Sequence, residues 1–259
     1  IPGLQSGASD GQVLTYNSTN GNITLADASG GGGGGASAIN DLSDAVTYDS
    51  GKSIGLGTDA LINDDGAANN NNTAVGYKAL ETNTSGEDNT AVGSRALTAN
   101  TTGEECTAIG KSALLNNTSG VRNTAIGHRA VEDCTTGYDN TGVGDFALGN
   151  ATTGNQNIAV GGDAQSATTT GYRNTSAGYS ALNSVTIGYQ NTAIGFYAGY
   201  NITTGHSNIV IGENAAASSA TASNEITLGD ASITSFRIPG LQSGATNGQV
   251  LTFNSTNGN

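Results

Sequence analysis

The sequence predicts an all-β fold, a parallel β-solenoid (β-roll) built from 17-residue coils. Three observations predict it. Glycine supplies 40 of 259 residues, about 15% against the usual ~7%. Hydrophobic residues are only 35%, aromatics 5% and charged residues 11%, with no Trp and no Met. One glycine recurs at intervals of 17 residues, as Gly76, Gly93, Gly110, Gly127, Gly144, Gly161, Gly178, Gly195, Gly212 and Gly229. So thin an apolar fraction argues against an α/β enzyme domain around one large core. Two prolines and little charge argue against disorder. Glycine at every third position, which collagen requires, is absent.

Residues 1–29 read as an N-terminal hairpin module. Asp10-Gly11 and Asn20-Gly21 are turn dipeptides on either side of the strand-forming Gln12-Val13-Leu14-Thr15-Tyr16. Residues 238–259 repeat residues 1–22 at 19 of 22 positions. The chain is therefore expected to be a window on a tandem array, with a duplicated terminal cap as the alternative. Because it starts at Ile1, it is expected to be processed or a fragment of something longer. Residues 30–51 form a linker and adaptor. Six consecutive glycines, Gly30–Gly35, read as a flexible linker, or as a close chain approach that only Gly permits. Ile39 to Tyr48 leads into the first coil as a short helical or extended adaptor.

Residues 52–230 are the predicted solenoid, and 231–259 the junction with the second copy of the hairpin module. Each coil reads N-T-A-[VI]-G-x-x-A-L, a polar stretch, then T-[TS]-G-x-x. The second glycine also recurs by 17, from Gly86 to Gly205. Gly57 opens an earlier coil, 19 residues before Gly76, and the Asn69–Asn72 run is expected to hold the extra two. Residues two apart on a strand share a face. The β-branched column (Val75, Val92, Ile109, Ile126) and the Thr column two residues earlier are therefore expected to point inward. Ile158, Ile209 and Ile226 stand in that Thr column and support the assignment. The small residues between, such as Ala74, Ala91, Gly142 and Ser176, then face outward and would let another sheet approach closely. Coils stacked at ~4.8 Å make a rod about 50 Å long. A column of asparagines, including Asn89, Asn123 and Asn140, is suited to a ladder of stacked amides, interrupted by Cys106. So small a coil needs neighbours to complete its core. The expectation is an intertwined homotrimeric fibre, with twofold packing left open.

The chemistry in the sequence is sparse. A net charge of −13 disfavours nucleic acid and anionic membrane as partners. No apolar run is long enough for a membrane helix, and no secretory signal is visible. Cys106 and Cys134 fit no metal-ligand spacing and fall at different points of different coils, so both read as free thiols. His128 and His206 form no catalytic constellation, and no phosphate-binding glycine motif occurs. Acid pairs at Asp64-Asp65, Glu87-Asp88 and Glu104-Glu105 read as a solvated face rather than as glycosidase carboxylates. Asn63-Asp64-Asp65 is at most a weak calcium site without the EF-hand pattern. No cofactor and no metal are expected. The N-x-[ST] triplets follow from composition alone. Tyr138, Tyr172 and Tyr189 share the column after the second glycine. They are candidate contacts for cell-surface glycan, the plainer alternative being a covering of coil edges. Tyr77, Tyr179 and Phe196 form a second aromatic set.

The unit N-T-A-[VI]-G-x-x-A resembles the head repeat of trimeric autotransporter adhesins, whose own unit is shorter. The segments S-A-I-N-D-L-S-D-A at 37–45, D-G-Q-V-L-T-Y-N-S-T-N-G at 10–21 and N-E-I-T-L-G-D-A-S-I-T at 224–234 resemble tail fibres of bacterial viruses. These resemblances imply a trimer, a location outside the cell or on the virion surface, and a structural role in reach and attachment to a host surface without catalysis. Two alternatives stand beside this fibre or adhesin. One is a polysaccharide-binding or depolymerising tail-spike domain, disfavoured by the strict coil length. The other is an ice-binding solenoid. It would need the column Thr73, Thr90, Thr107, Thr124 to face outward, against the assignment above.

Overall fold

The computed structural model describes residues 52–65 and 70–235 in full, together with the strand backbones of 12–16, 23–27 and 45–48. The first two strands, β1 (Gln12–Tyr16) and β2 (Ile23–Asp27), pair antiparallel as a hairpin, Leu14 opposite Leu25. The poly-glycine run, the adaptor up to residue 44 and the second copy of the hairpin module lie outside the described residues.

The solenoid is one sheet of twelve strands in sequential order. It opens with β3 (Ala45–Tyr48), antiparallel to β4 (Ser53–Leu56). Ten three-residue strands follow in parallel register, from β5 (Thr73–Val75) to β14 (Ile226–Leu228). Thr73 stands beside Thr90, Thr90 beside Thr107, and Ala91 beside Ala108. The 17-residue period is thus one coil per strand. The extra two residues of the first coil fall between Asp65 and Asn70. Asp65 donates its backbone N–H to Thr84 at the 19-residue offset, while Asn70 already accepts from Asp88 in the standard register. That is slightly before the expected Asn69–Asn72 run.

The glycine columns are steric requirements. Gly76 has φ +133°, and a Cβ there would lie 2.6 Å from the Gly93 carbonyl oxygen. At Gly171 a Cβ would lie 2.5 Å from the Gly188 carbonyl. Backbones at both turns stack directly on the next coil, so a side chain in either column would force coils apart.

The facing of the strand columns is the reverse of the sequence expectation. Ala74, Ala91, Ala108 and Ala125 are fully buried, whereas Val92 is 37% and Ile109 41% exposed. Ile158, Ile209 and Ile226, read as inward markers, are exposed. The physical reason is the width of the coil. A Cβ on Gly55 would lie 2.7 Å from the Ala60 carbonyl oxygen, and one on Gly142 2.6 Å from a Val131 methyl. Beneath most strands the space takes only Ala, Gly or Ser; Val210 in β13 (Ile209–Ile211) is the buried branched exception. The interior is filled instead by the alanine column, by Ala79-Leu80 and its equivalents such as Ala96-Leu97, and by asparagines. The apolar core divides into two clusters, residues 60–164 and 181–222. The break coincides with buried Gln165, Thr168 and Ser176.

Candidate functional site

The features that carry function here are linear, because every column of the repeat becomes a line along the rod. Two internal lines fix the geometry of the surface lines. In the first, Asn89 donates its backbone N–H to Oδ1 of Asn72 at 3.0 Å, and the pattern continues to Asn208. Asn123 donates its side-chain amide to the Gly137 carbonyl at 2.7 Å, and Asn140 donates to Oδ1 of Asn123 at 3.1 Å. Every amide is buried and paired, as a polar interior demands. Cys106 occupies this line without ending it. Its N–H donates to Asn89, and its Sγ takes the place of the amide toward the Gly120 carbonyl.

The sequence reading missed a second internal line. Asn83, Asn100 and Asn117 are buried; Asn100 donates to Oδ1 of Asn83 and Asn117 to Oδ1 of Asn100, both at 2.8 Å, while Asn83 donates to Oδ2 of Asp64. The signal was their position three residues before Gly86, Gly103 and Gly120. The line then turns apolar through Cys134, Ala151, Val185 and Ile202, with Thr168 between. Cys134 and Cys106 are both buried free thiols. Burial pushes Cys106 up to about 11 and Cys134 up to about 12. Asp64, read as part of a weak calcium site, is buried at the head of both lines. It accepts side-chain amides from Asn70, Asn72 and Asn83. Among the described residues no group of His, Cys, Asp and Glu could hold a metal ion.

The outer surface of the sheet is the largest candidate site. The Thr column and the Val/Ile column stand side by side on its outward face, so each strand contributes one hydroxyl and one branched apolar group. Three coils place Ile in the Thr position instead, where Ile158 is 45% exposed. Exposed apolar side chains continue along the column as Ile126, Val160, Ile194, Ile211 and Leu228. A contiguous apolar strip of this length is uncharacteristic of a lone soluble chain.

The two edges of this face differ. Residues just before the strands include Glu87, Asp88, Glu104 and Glu105, all exposed. Residues just after them include Arg95 and Lys111, also exposed. Neighbouring charges are paired within the chain. Lys78 binds Glu81 at 2.6 Å, Arg122 binds Asp139 at 2.7 Å, Arg129 binds Glu132 at 2.6 Å, and His128 meets Asp145 at 2.8 Å.

Aromatic residues take over the same edges further along. Tyr172 and Tyr189 stack at 4.9 Å between centroids and 1° between planes, and His206 continues the pile at 4.6 Å. Tyr138, two coils away beyond Asn155, is exposed and stands outside the pile. The structure therefore unites two of the three tyrosines considered for glycan. Their faces cover each other, leaving ring edges and hydroxyls along the side. On the other edge Tyr179 and Phe196 stack at 5.6 Å, and Tyr197 meets both edge-on. Tyr77 lies far from this set, and Tyr197 and Tyr200 were not singled out from sequence. Among the described residues no helix is long and apolar enough to cross a membrane. Comparison of the chain with protein-family models, curated proteins and solved structures finds no match.

Proposed function

We propose that this chain is a structural segment of a homotrimeric fibre, a tail fibre or surface adhesin that reaches toward and attaches to a host surface without catalysis. Its place would be extracellular or on a virion. The observation that carries this reading is the outward Thr and Val/Ile face, unbroken along the rod and backed by an interior laced with asparagine hydrogen bonds. The single coil already fills its own narrow core with Ala, Leu and Asn. The branched residues are surplus to that core, and burial against further copies is the state that removes them from water. Rigid amide ladders suit a part whose task is to hold distance. Electron microscopy tests the reading: bundles of three side-by-side rods support it, and lone rods contradict it. Tyr138, Tyr172 and Tyr189 remain the candidate glycan contacts. Unchanged cell binding by a triple Ala variant would remove them.

The outward threonines favour a second reading, an ice-binding face. Thr73, Thr90, Thr107 and Thr124 repeat at the strand spacing of ~4.8 Å along the sheet, and the argument against this reading was their supposed inward facing. A thermal-hysteresis measurement on the chain decides it: depression of freezing below the melting point supports an ice face, and its absence leaves the fibre reading alone.

A further inference from the structure

The two edges of the outward face are complementary at matching heights along the rod. On the coil of strand Thr90–Val92, Glu87 and Asp88 precede the strand and Arg95 follows it. On the next coil, Glu104 and Glu105 precede strand Thr107–Ile109 and Lys111 follows it. Among the described residues, Glu87, Glu104, Glu105, Arg95 and Lys111 make no ion pair within the chain. The next two coils would oppose like charges, Arg122 against Arg129 and Asp139 against Asp145. Arg122, Asp139 and Arg129 are already held in in-chain ion pairs, and Asp145 is hydrogen-bonded to His128 Nδ1. Further along, Tyr172 and Tyr189 on one edge stand level with Tyr179 and Phe196 on the other, and His206 stands level with Glu213.

We infer that the occupant of this face is a second copy of the same chain, parallel and in register, with the Glu87–Glu105 edge of one copy against the Arg95–Lys111 edge of the next. The inference rests on the reading of the face as an interface between copies, and it adds orientation, register and the contacting edges. Rotation about the fibre axis brings each leading edge against a trailing edge at the same height. Opposite charges then meet at two coils and aromatic rings at two others. A copy turned end over end would instead set like edges together, the acidic edge against the tyrosine pile, and would lose the pairing of Glu87–Glu105 with Arg95–Lys111. Charge complementarity of this kind selects orientation and register among packings that bury the same apolar strip.

A cysteine pair tests it. Glu104→Cys with Lys111→Cys puts one thiol on each edge of every chain, too far apart across the strand to join within one chain. Mild oxidation of the full chain is expected to give covalent ladders ending at the order of the assembly, while either single variant and the natural chain give none. An oligomeric mass by light scattering without any ladder would overturn the edge pairing. A monomeric mass would overturn the interface reading itself. As a second measurement, Arg95→Glu with Lys111→Glu should raise the concentration needed for assembly by ~10-fold or more. Adding Glu87→Lys, Glu104→Lys and Glu105→Lys should restore it. Failure of the swap to restore assembly would also overturn the pairing.

Discussion

Asn72 donates its side-chain amide to Oδ2 of Asp64 across 3.1 Å, and Asn83 donates to the same oxygen at 3.3 Å. Both internal amide lines point their donors toward the first coil. The N-terminal end therefore presents donors, and a carboxylate, which only accepts, closes it. Asp64→Ala removes the shared acceptor; Asn72 and Asn83 keep their bonds to the Gly86 carbonyl, but each loses the acceptor of its other amide N–H. It is expected to cost about 1–3 kcal/mol, with the loss concentrated in the first coils. Hydrogen exchange checks this: faster exchange near Asn72 and Asn83 is expected, and unchanged protection would remove the capping role.

The break in the core gives a stabilising substitution. Gln165 sits in the column held by Leu148 and Leu182, and its Oε1 is buried without a partner. Gln165→Leu restores the column and removes the orphan acceptor. Thermal unfolding should rise by an amount equivalent to about 1–3 kcal/mol. A lower midpoint would show that the amide's bonds to Ile158 and Ser176 outweigh the orphan.

The thiols give a pH dependence. Their ordinary value is 9.0, and burial raises Cys106 to about 11 and Cys134 to about 12. Above pH 9 the unfolded chain loses these protons first and so binds fewer than the folded chain. The contribution to stability is complete below about pH 9 and is lost as pH rises through the folded values. At pH 8 the native chain should resist a thiol reagent, and both cysteines should react in denaturant. Fast native labelling would contradict their burial.

The repeat itself was legible in the sequence, because stacking one coil on the next forces glycine wherever backbones touch. The period, the strands at T-A-[VI] and the first asparagine line all follow from that. The facing of Ile109 and Ala108 was not legible. Alternation says only that neighbours take opposite faces, and a β-branched column ordinarily fills a core. Coil width decides the matter, and width depends on what Leu80 and Val131 do across the interior. Asn83, Asn100 and Asn117 were obscured for a related reason: their column changes from amide to Cys134 and then to apolar residues, so the period is visible only against Gly86 and Gly103.

Adjacent residues separate the two faces experimentally. Ala125→Leu forces a branched group into a space that fits a methyl and should cost about 1–3 kcal/mol. Ile126→Asp changes an outward residue. It should leave the unfolding of a single chain within ~0.5 kcal/mol while weakening assembly. Unfolding midpoints and sedimentation compare them, and the reverse pattern would restore the inward assignment of the β-branched column.

The central claim is that the outward Thr and Val/Ile face is covered by further copies of the chain. The most direct test is the mass of the chain in solution by light scattering across a range of concentrations. The account predicts three times the 25.6 kDa chain mass. A stable species at 25.6 kDa would contradict it.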